Sequence, residues 1–343
     1  MSSFKNFVIL CLVAISCEIF LLGNIQKQNI YLTKLSLETT RAYNTRKVEI
    51  LKQKPKLIRL GFVGDIMLDR DVERSVDRNG NGDYHYIFSN IKDTLGSFDI
   101  LFGNLEGPVS TQTKVCGSMY SFNMATSVAE VLRDENFKIV SLANNHMFDY
   151  CYSGFQETLK NLFNANVEYV GAGQNINEAY TPKILLVDDL KIAFLAASEF
   201  GKNYMDAGDD RGGIAIIDTN RMCSEINNIR SEVDLVAISL HFGEEYKTEL
   251  NSYQRNVATK LIDCGADLII GSHPHVVEPL EKYKNGYIAY SLGNFIFDQN
   301  FSPETMQGGI LDVLVKDKKI STVNILPTKQ NQFYQPELTF IEN

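Results

Sequence analysis

The sequence predicts an α/β fold built on a largely buried, mixed β-sheet. From Leu57 onward, apolar runs of strand length alternate with amphipathic stretches of helical length, the pattern of strands interleaved with covering helices. The segments VDDLK (Val187 to Lys191) and VKDKKI (Val315 to Ile320) read as hairpin turns, so the sheet cannot be purely parallel. Polar residues recur where the apolar runs end, and in open α/β sheets that edge is where sites gather.

Taken in order, the chain starts with FVILCLVAISCEIFLLG behind Lys5, apolar except for Cys11, Ser16, Cys17 and Glu18. A cleaved signal peptide, a lipoprotein signal ending at Cys17 and an uncleaved anchor each fit part of this stretch. Phe7–Gly23 is just long enough to span a bilayer, so residues 1–25 are read as a single-pass anchor with the domain outside the cytoplasm. A secreted or lipidated form is the alternative. Residues 26–56 hold eight Lys/Arg against two Glu and form a basic stalk or linker, of a kind that an anionic leaflet attracts. Strands are expected at 58–63, 100–102, 139–142, 191–197, 235–240, 268–270, 287–291 and 310–315, with helices at 128–136, 154–165, 221–233 and 253–264. One domain over 57–327 and a tail over 328–343 complete the division.

The net charge is −9; the stalk contributes +6 and the first 25 residues cancel, so −15 falls on the rest. A surface that acidic excludes nucleic acid as the main partner. Outside the first 25 residues the cysteines are Cys116, Cys151, Cys223 and Cys264. Cys116 with Cys151 is the expected pair if disulfides form, and four free thiols are an equal alternative. No C-x-x-C pattern, Walker loop, dinucleotide fingerprint or G-x-S-x-G elbow occurs, which disfavours a thiolate zinc site and those enzyme classes.

The run ends deliver Asp65, Asn104 with Glu106, Asn144-Asn145-His146, His241 with Glu244 and Glu245, His273 with His275, and Asn294 with Asp298. Four of the five histidines fall in this set. Carboxylates, imidazoles and an amide oxygen are what divalent cations such as Mn, Fe or Zn take as ligands, and two ions sharing a bridging carboxylate need about six to eight of them. Pro274 pushes Ser272-His273 toward extended backbone, which would hold His273 and His275 on a stiff loop. Arg70 and Arg211 could meet an anionic substrate or remain solvated.

GDIMLDR, GNLEGPV, ANNHMFD, HFGEEY, GSHPHVVEP and SLGNFIFDQ, in this order across residues 58–300, resemble the CapA family of capsule (poly-γ-glutamate) synthesis proteins. That family is similar in fold to the calcineurin-like metallophosphoesterases. The resemblance implies a four-layer α/β/β/α sandwich with a dinuclear metal site at the carboxyl ends of the strands. It implies Asp65 and His275 as ligands of one ion, Asn145, His241 and His273 as ligands of the other, and Glu106 as the bridge. It also implies a catalytic role for His146 with Asn145; apart from the resemblance, Asn104, Arg70 and Arg211 are the candidates for substrate contact. Glu244, Glu245, Asn294 and Asp298 are expected to orient the ligands rather than to be ligands. Asp65-Ile66-Met67 departs from the Asp-x-His of the phosphoesterases. Two functions follow: a metal-dependent hydrolase of ester bonds, or a non-catalytic accessory or export component of a capsule synthase complex. The implied partners are an anionic polymer or phosphorylated substrate, and a membrane through the N-terminus.

Overall fold

The computed structural model describes residues 2–52, 57–117 and 119–339, with side chains described over 12–45 in the first stretch. The chain divides into two compact units at Lys56/Leu57.

The first unit is one helix, α1 (Ser2–Lys52). It runs through the expected boundary at residue 25, since Gly23 is its only glycine and the first proline, Pro55, lies beyond it. Among the described residues no helix is long and apolar enough to cross a membrane. The expected span Phe7–Gly23 begins in residues whose side chains lie outside the described set.

The second unit holds two sheets. The first contains β1 (Leu57–Ile66), β2 (Ile100–Leu105), β3 (Phe137–Ser141), β4 (Glu168–Val170), β13 (Asn294–Ile296), β14 (Gln307–Lys316), β15 (Lys319–Gln330) and β16 (Pro336–Leu338). Its order is β16-β15-β14-β1-β2-β3-β4, with β13 also pairing β1. The second contains β6 (Lys183–Val187), β7 (Leu190–Ser198), β9 (Leu235–His241), β10 (Leu268–Ser272), β11 (Leu280–Tyr283) and β12 (Gly286–Ala289), ordered β11-β12-β10-β9-β7-β6. A short antiparallel pair joins β5 (Ala172–Gly173) to β8 (Gly213–Ile214). Central strands are parallel and the hairpins at the expected VDDLK and VKDKKI turns are antiparallel.

Residue alternation builds the layers. Along β7, Ile192, Phe194 and Ala196 join Phe62, Phe102 and Ile270 in a core between the two sheets. The intervening Ala193, Leu195 and Ala197 join an outer core with Met222 of α8 (Thr219–Ile229) and Leu261 of α9 (Ser252–Asp263). On the opposite side, Val63 and Ile66 of β1 pack with Val72 of α2 (Arg70–Asn79). Leu132 of α5 (Val128–Asp134) and Leu162 of α6 (Cys151–Ala165) join them, while α3 (His85–Phe88), α4 (Lys92–Gly96) and α7 (Ile176–Tyr180) are short. Strands apolar on both faces are the requirement for sheets covered on both sides, and the result is an α/β/β/α sandwich. The Phe102 and Phe194 rings stack across the inter-sheet core at 5.8 Å.

One expectation needs correction, and one pairing, Cys116 with Cys151, is as expected. β15 continues past residue 327 and pairs with β16 through Thr328, Lys329 and Gln330, so this stretch is part of the sheet rather than a tail. The cysteines form two disulfides, Cys116–Cys151 and Cys223–Cys264. The second was missed because packing of α8 against α9, rather than loop composition, brings Cys223 and Cys264 together.

Closing a loop with a separation of 41 residues is worth about 4 kcal/mol on a chain-entropy estimate. Replacing Cys223 and Cys264 by Ala should therefore lower the thermal midpoint of the domain by several degrees or more. Peptide mapping without reductant should recover the two as one linked species; finding both alkylated in the native protein would refute the pairing.

Candidate metal centre

Strand register assembles the site. At the carboxyl end of β1, Asp65 lies beside Asn104 of β2 on one side and Asn294 of β13 on the other. In the second sheet the last residue of β10, Ser272, lies beside His241 at the end of β9. A Cβ on Gly271 would stand 1.7 Å from the Tyr290 carbonyl oxygen, so only glycine lets β10 pass there. The chain then turns through His273 (φ 96°) and His275 (φ 58°). The expected extended conformation at His273 is thus wrong. Both histidines take the left-handed backbone that side chains with a Cβ adopt only where surroundings enforce it. The His273 amide donates to Asp65 Oδ2 at 3.2 Å, and the Pro274 carbonyl accepts from the Tyr246 amide at 2.8 Å.

Asp65 and Glu106 are fully buried and belong to one cluster with His275, with ligand atoms within 4.8 Å of one another. Burial would raise the Asp65 carboxyl, but His275, Asn104 and the His273 amide outweigh it and hold it below its ordinary range. Glu106 goes the other way, driven well up by burial and then by the Asp65 charge. Burial, followed by the neighbouring histidines, pushes His241 well below the usual imidazole range. Burial and His275 push His273 down to about 3. These are neutral imidazoles, the form that ligates cations. His275 Nδ1 lies 2.9 Å from Asn294 Oδ1, which leaves Nε2 toward Glu106 Oε1 at 3.8 Å. His241 Nε2 lies 2.8 Å from Asn145 Oδ1, and its ring centroid is 4.8 Å from that of His273.

Among the described residues, the buried atoms Glu106 Oε1 and His273 Nδ1 of this cluster have no hydrogen-bond partner. Unpaired buried polar atoms are costly, and both are lone-pair donors, so a divalent cation fits the arrangement. Asp65, Glu106 and His275 could hold one; His273 and His275 with Glu245 form a second possible group.

His146 completes the site. Its Nδ1 lies 2.7 Å from Asp149 Oδ2 and its Nε2 lies 3.8 Å from Glu106 Oε1, with the Phe122 ring at 4.2 Å. A carboxylate on Nδ1 fixes the tautomer and aims Nε2 inward. Arg70 lines a cavity of ≈ 460 Å³ with Tyr120, Phe122, Asn145, His146, Glu245, Tyr246, His275 and Asp298.

Several assignments change. Asn104, expected at the substrate, is buried and donates Nδ2 to Asp65 Oδ1 at 2.7 Å, so it orients a carboxylate instead. Arg211, also expected at the substrate, is exposed and bound to the Asp206 carbonyl at 2.7 Å, and it is not among the residues lining the cavity. Glu245, expected only to orient a ligand, comes within ligand distance of His273 and His275. Glu244 is exposed and acts instead on Glu199, whose carboxyl it helps raise after burial. Asp298 holds Arg70 Nε at 3.0 Å, and Asn294 holds His275. Asn144 and Asp149 carry contacts that sequence reasoning did not assign, although both lie in ANNHMFD. Asn144 Nδ2 binds the Leu105 carbonyl at 2.8 Å and Asn104 Oδ1 at 3.2 Å.

The four-layer α/β/β/α sandwich, with carboxylates, amides and imidazoles at the carboxyl ends of its parallel strands, is a metallophosphoesterase-like fold. In agreement, the chain superposes with a TM-score of 0.52 on a putative 5'-nucleotidase from Staphylococcus aureus, at 13% identity, over 84% of this chain and 56% of that one. The chain belongs to the bacterial capsule synthesis protein family PGA_cap, whose profile matches residues 59–299. It is 31% identical over 274 residues to the capsule biosynthesis protein CapA of Bacillus anthracis, covering 78% of this chain and 66% of that protein. It is 34% identical over 245 residues to the PGA biosynthesis protein CapA of Bacillus subtilis, covering 70% of this chain and 63% of that one. The match thus spans under two thirds of the length of either relative.

His275 belongs to both ligand groups, so His275→Ala should reduce bound divalent metal, whereas Arg211→Ala should leave it unaltered. Elemental analysis of the purified chains decides; equal metal content in wild type and His275→Ala would remove the site. The metal-free protein should also lose stability as pH falls. The unfolded His273 ring takes a proton near 6.5 and the folded one only near 3, so acid favours the unfolded chain throughout that window. The slope is about 1.4 kcal/mol per pH unit. This is the contribution of His273 alone, so denaturant titrations of chelator-treated protein should show the pH slope of stability falling by about that amount in His273→Gln.

Proposed function

We propose that this chain is a membrane-anchored, metal-dependent hydrolase of ester bonds that works in capsule polymer synthesis outside the cytoplasm. The observation that carries the reading is Glu106 Oε1, a buried and unpartnered carboxylate oxygen lying 3.8 Å from both His146 Nε2 and His275 Nε2. We read it as the shared ligand of two divalent ions, of the Mn, Fe or Zn type. Asp65 and His275 complete one position, while Asn145, His241 and His273 complete the other. When bound, the ions would polarise a phosphoryl oxygen and lower the pKa of water.

The chain's own groups do the rest. Asp149 accepts the Nδ1 proton of His146 in a hydrogen bond and turns Nε2 toward the cavity, where a proton held by the doubly protonated ring can pass to the leaving oxygen. Asn104 and the His273 amide hold Asp65 in place. Arg70, steadied by Asp298, presents a guanidinium to an anionic substrate, a phosphoester or a stretch of acidic polymer. The curated relatives named for capsule and PGA biosynthesis support the polymer role. Two disulfides support an oxidising compartment, and the basic stalk supports a membrane-apposed position.

A second reading, an accessory component that binds the anionic polymer within a synthase complex without turning it over, is favoured by one observation. Met67 occupies the place of the phosphoesterase imidazole and is spent on a contact between its sulfur and the Asp69 amide at 3.2 Å. The position shared by Asp65 and His275 therefore has one ligand fewer.

The full chain loaded with Mn²⁺ should hydrolyse aryl phosphates slowly, and His146→Gln should lower turnover about 100-fold while leaving metal content unchanged. Absence of turnover on both phosphoesters and poly-γ-glutamate, with metal bound, would replace the hydrolase by the accessory reading.

A further inference from the structure

The segment between β2 and α5 walls the cavity through Tyr120 and Phe122. Asn123 of this segment is tied to Asp69 and Thr111 to Glu157, but beside His146 three of its backbone amides meet at one residue, Asp149. The Cys116 and Gly117 amides donate to the Asp149 carbonyl at 2.7 and 2.9 Å. The Phe122 amide donates to Asp149 Oδ2 at 2.9 Å, the same oxygen that takes His146 Nδ1. A Cβ on Gly117 would stand 2.4 Å from Asp149 Oδ1, so the backbone there lies directly against the carboxylate. Two residues past Asp149, Cys151 sits at φ 65° and is bonded to Cys116. The disulfide thus clasps the wall segment to the turn that carries both Asp149 and His146. The Phe122 ring, on that wall, packs against the imidazole.

We propose that Cys116–Cys151 is a positioning device for His146, and that opening it uncouples the imidazole from the site. Closed, it fixes Asp149 between two backbone amides and Phe122, and so fixes the tautomer and direction of the ring. Opened, the wall segment keeps only non-covalent contacts, and His146 loses a defined aim. This inference rests on the reading of His146 as proton donor. Cys116 is exposed, so a dithiol reductant can reach the bond. The reductant gives two electrons and two protons, the S–S bond breaks, two thiols form, and the reductant closes its own disulfide. Cys223–Cys264, between α8 and α9, is a built-in control.

The test exploits leaving groups. Proton donation matters most where the departing oxygen is strongly basic, and is worth about 10²–10⁴ there. In the full chain loaded with Mn²⁺, Cys116→Ala/Cys151→Ala should lower turnover of an alkyl phosphate about 30-fold. Turnover of a dinitrophenyl phosphate should change less than about threefold, with KM for both unaltered. Cys223→Ala/Cys264→Ala should leave the ratio of the two rates as in wild type. Dithiothreitol should impose the altered ratio on Cys223→Ala/Cys264→Ala, and reoxidation should reverse it. This arm also serves if the first variant fails to fold. Equal losses on both esters, or none, would overturn the proposal. If oxidised wild type hydrolyses neither ester, the hydrolase reading fails by itself, and the coupling is decided by amide exchange at Phe122. That amide should exchange at least about tenfold faster in Cys116→Ala/Cys151→Ala than in wild type; unchanged exchange would overturn the clasp.

Discussion

Two carboxylates with no exposed surface, Asp65 and Glu106, lie in one cluster with His275, and much of the domain follows from keeping them there. Buried like charges cannot both stay ionised without compensation. The fold answers with a split: Asp65 is stabilised as an anion by Asn104, His275 and the His273 amide, while Glu106 is driven toward its protonated form. A divalent cation would resolve the same conflict by supplying positive charge to both. Either way, the Asn104 amide and the backbone turn at His273 are needed because of charge, and packing alone would not require them.

That constraint explains why the sandwich is joined where it is. Each sheet contributes half of the site: Asp65, Asn104 and Asn294 from the first, and His241 with the loop after Ser272 from the second. The apolar seam between the sheets, with Phe62, Phe102 and Phe194 at its centre, sets the distance between the halves. Volume changes in that seam should be felt at the metal ligands, although no seam residue touches one through a polar bond.

Much of this was legible in the sequence. Asp65, His241 and His273 follow largely apolar runs, so their place at a strand edge could be read directly. The core strands were visible because both faces are apolar. Less could be read where local pattern is silent. β13 has only three residues, and β15 is largely polar because one face is exposed, so neither stood out. Asn104 was misassigned because sequence does not reveal whether a residue at a strand end faces the cavity or its neighbouring strand. Glu245 follows His241 through an exposed turn whose path is set by the Tyr246 amide bonding to Pro274, a contact between distant segments. Arg211 was read from residue type alone, and Asp206 claims it.

The left-handed backbone at His273 and His275 has a consequence for how this protein can change over time. An ordinary side chain in that conformation costs about 1–3 kcal/mol, a strain that glycine, and to a lesser degree asparagine, would relieve. At these two positions, then, the replacements easiest on the polypeptide are ones that abolish an imidazole. Drift toward greater robustness and retention of the site pull in opposite directions. A lineage that no longer needs the chemistry would be expected to lose these two histidines early and keep its sandwich intact.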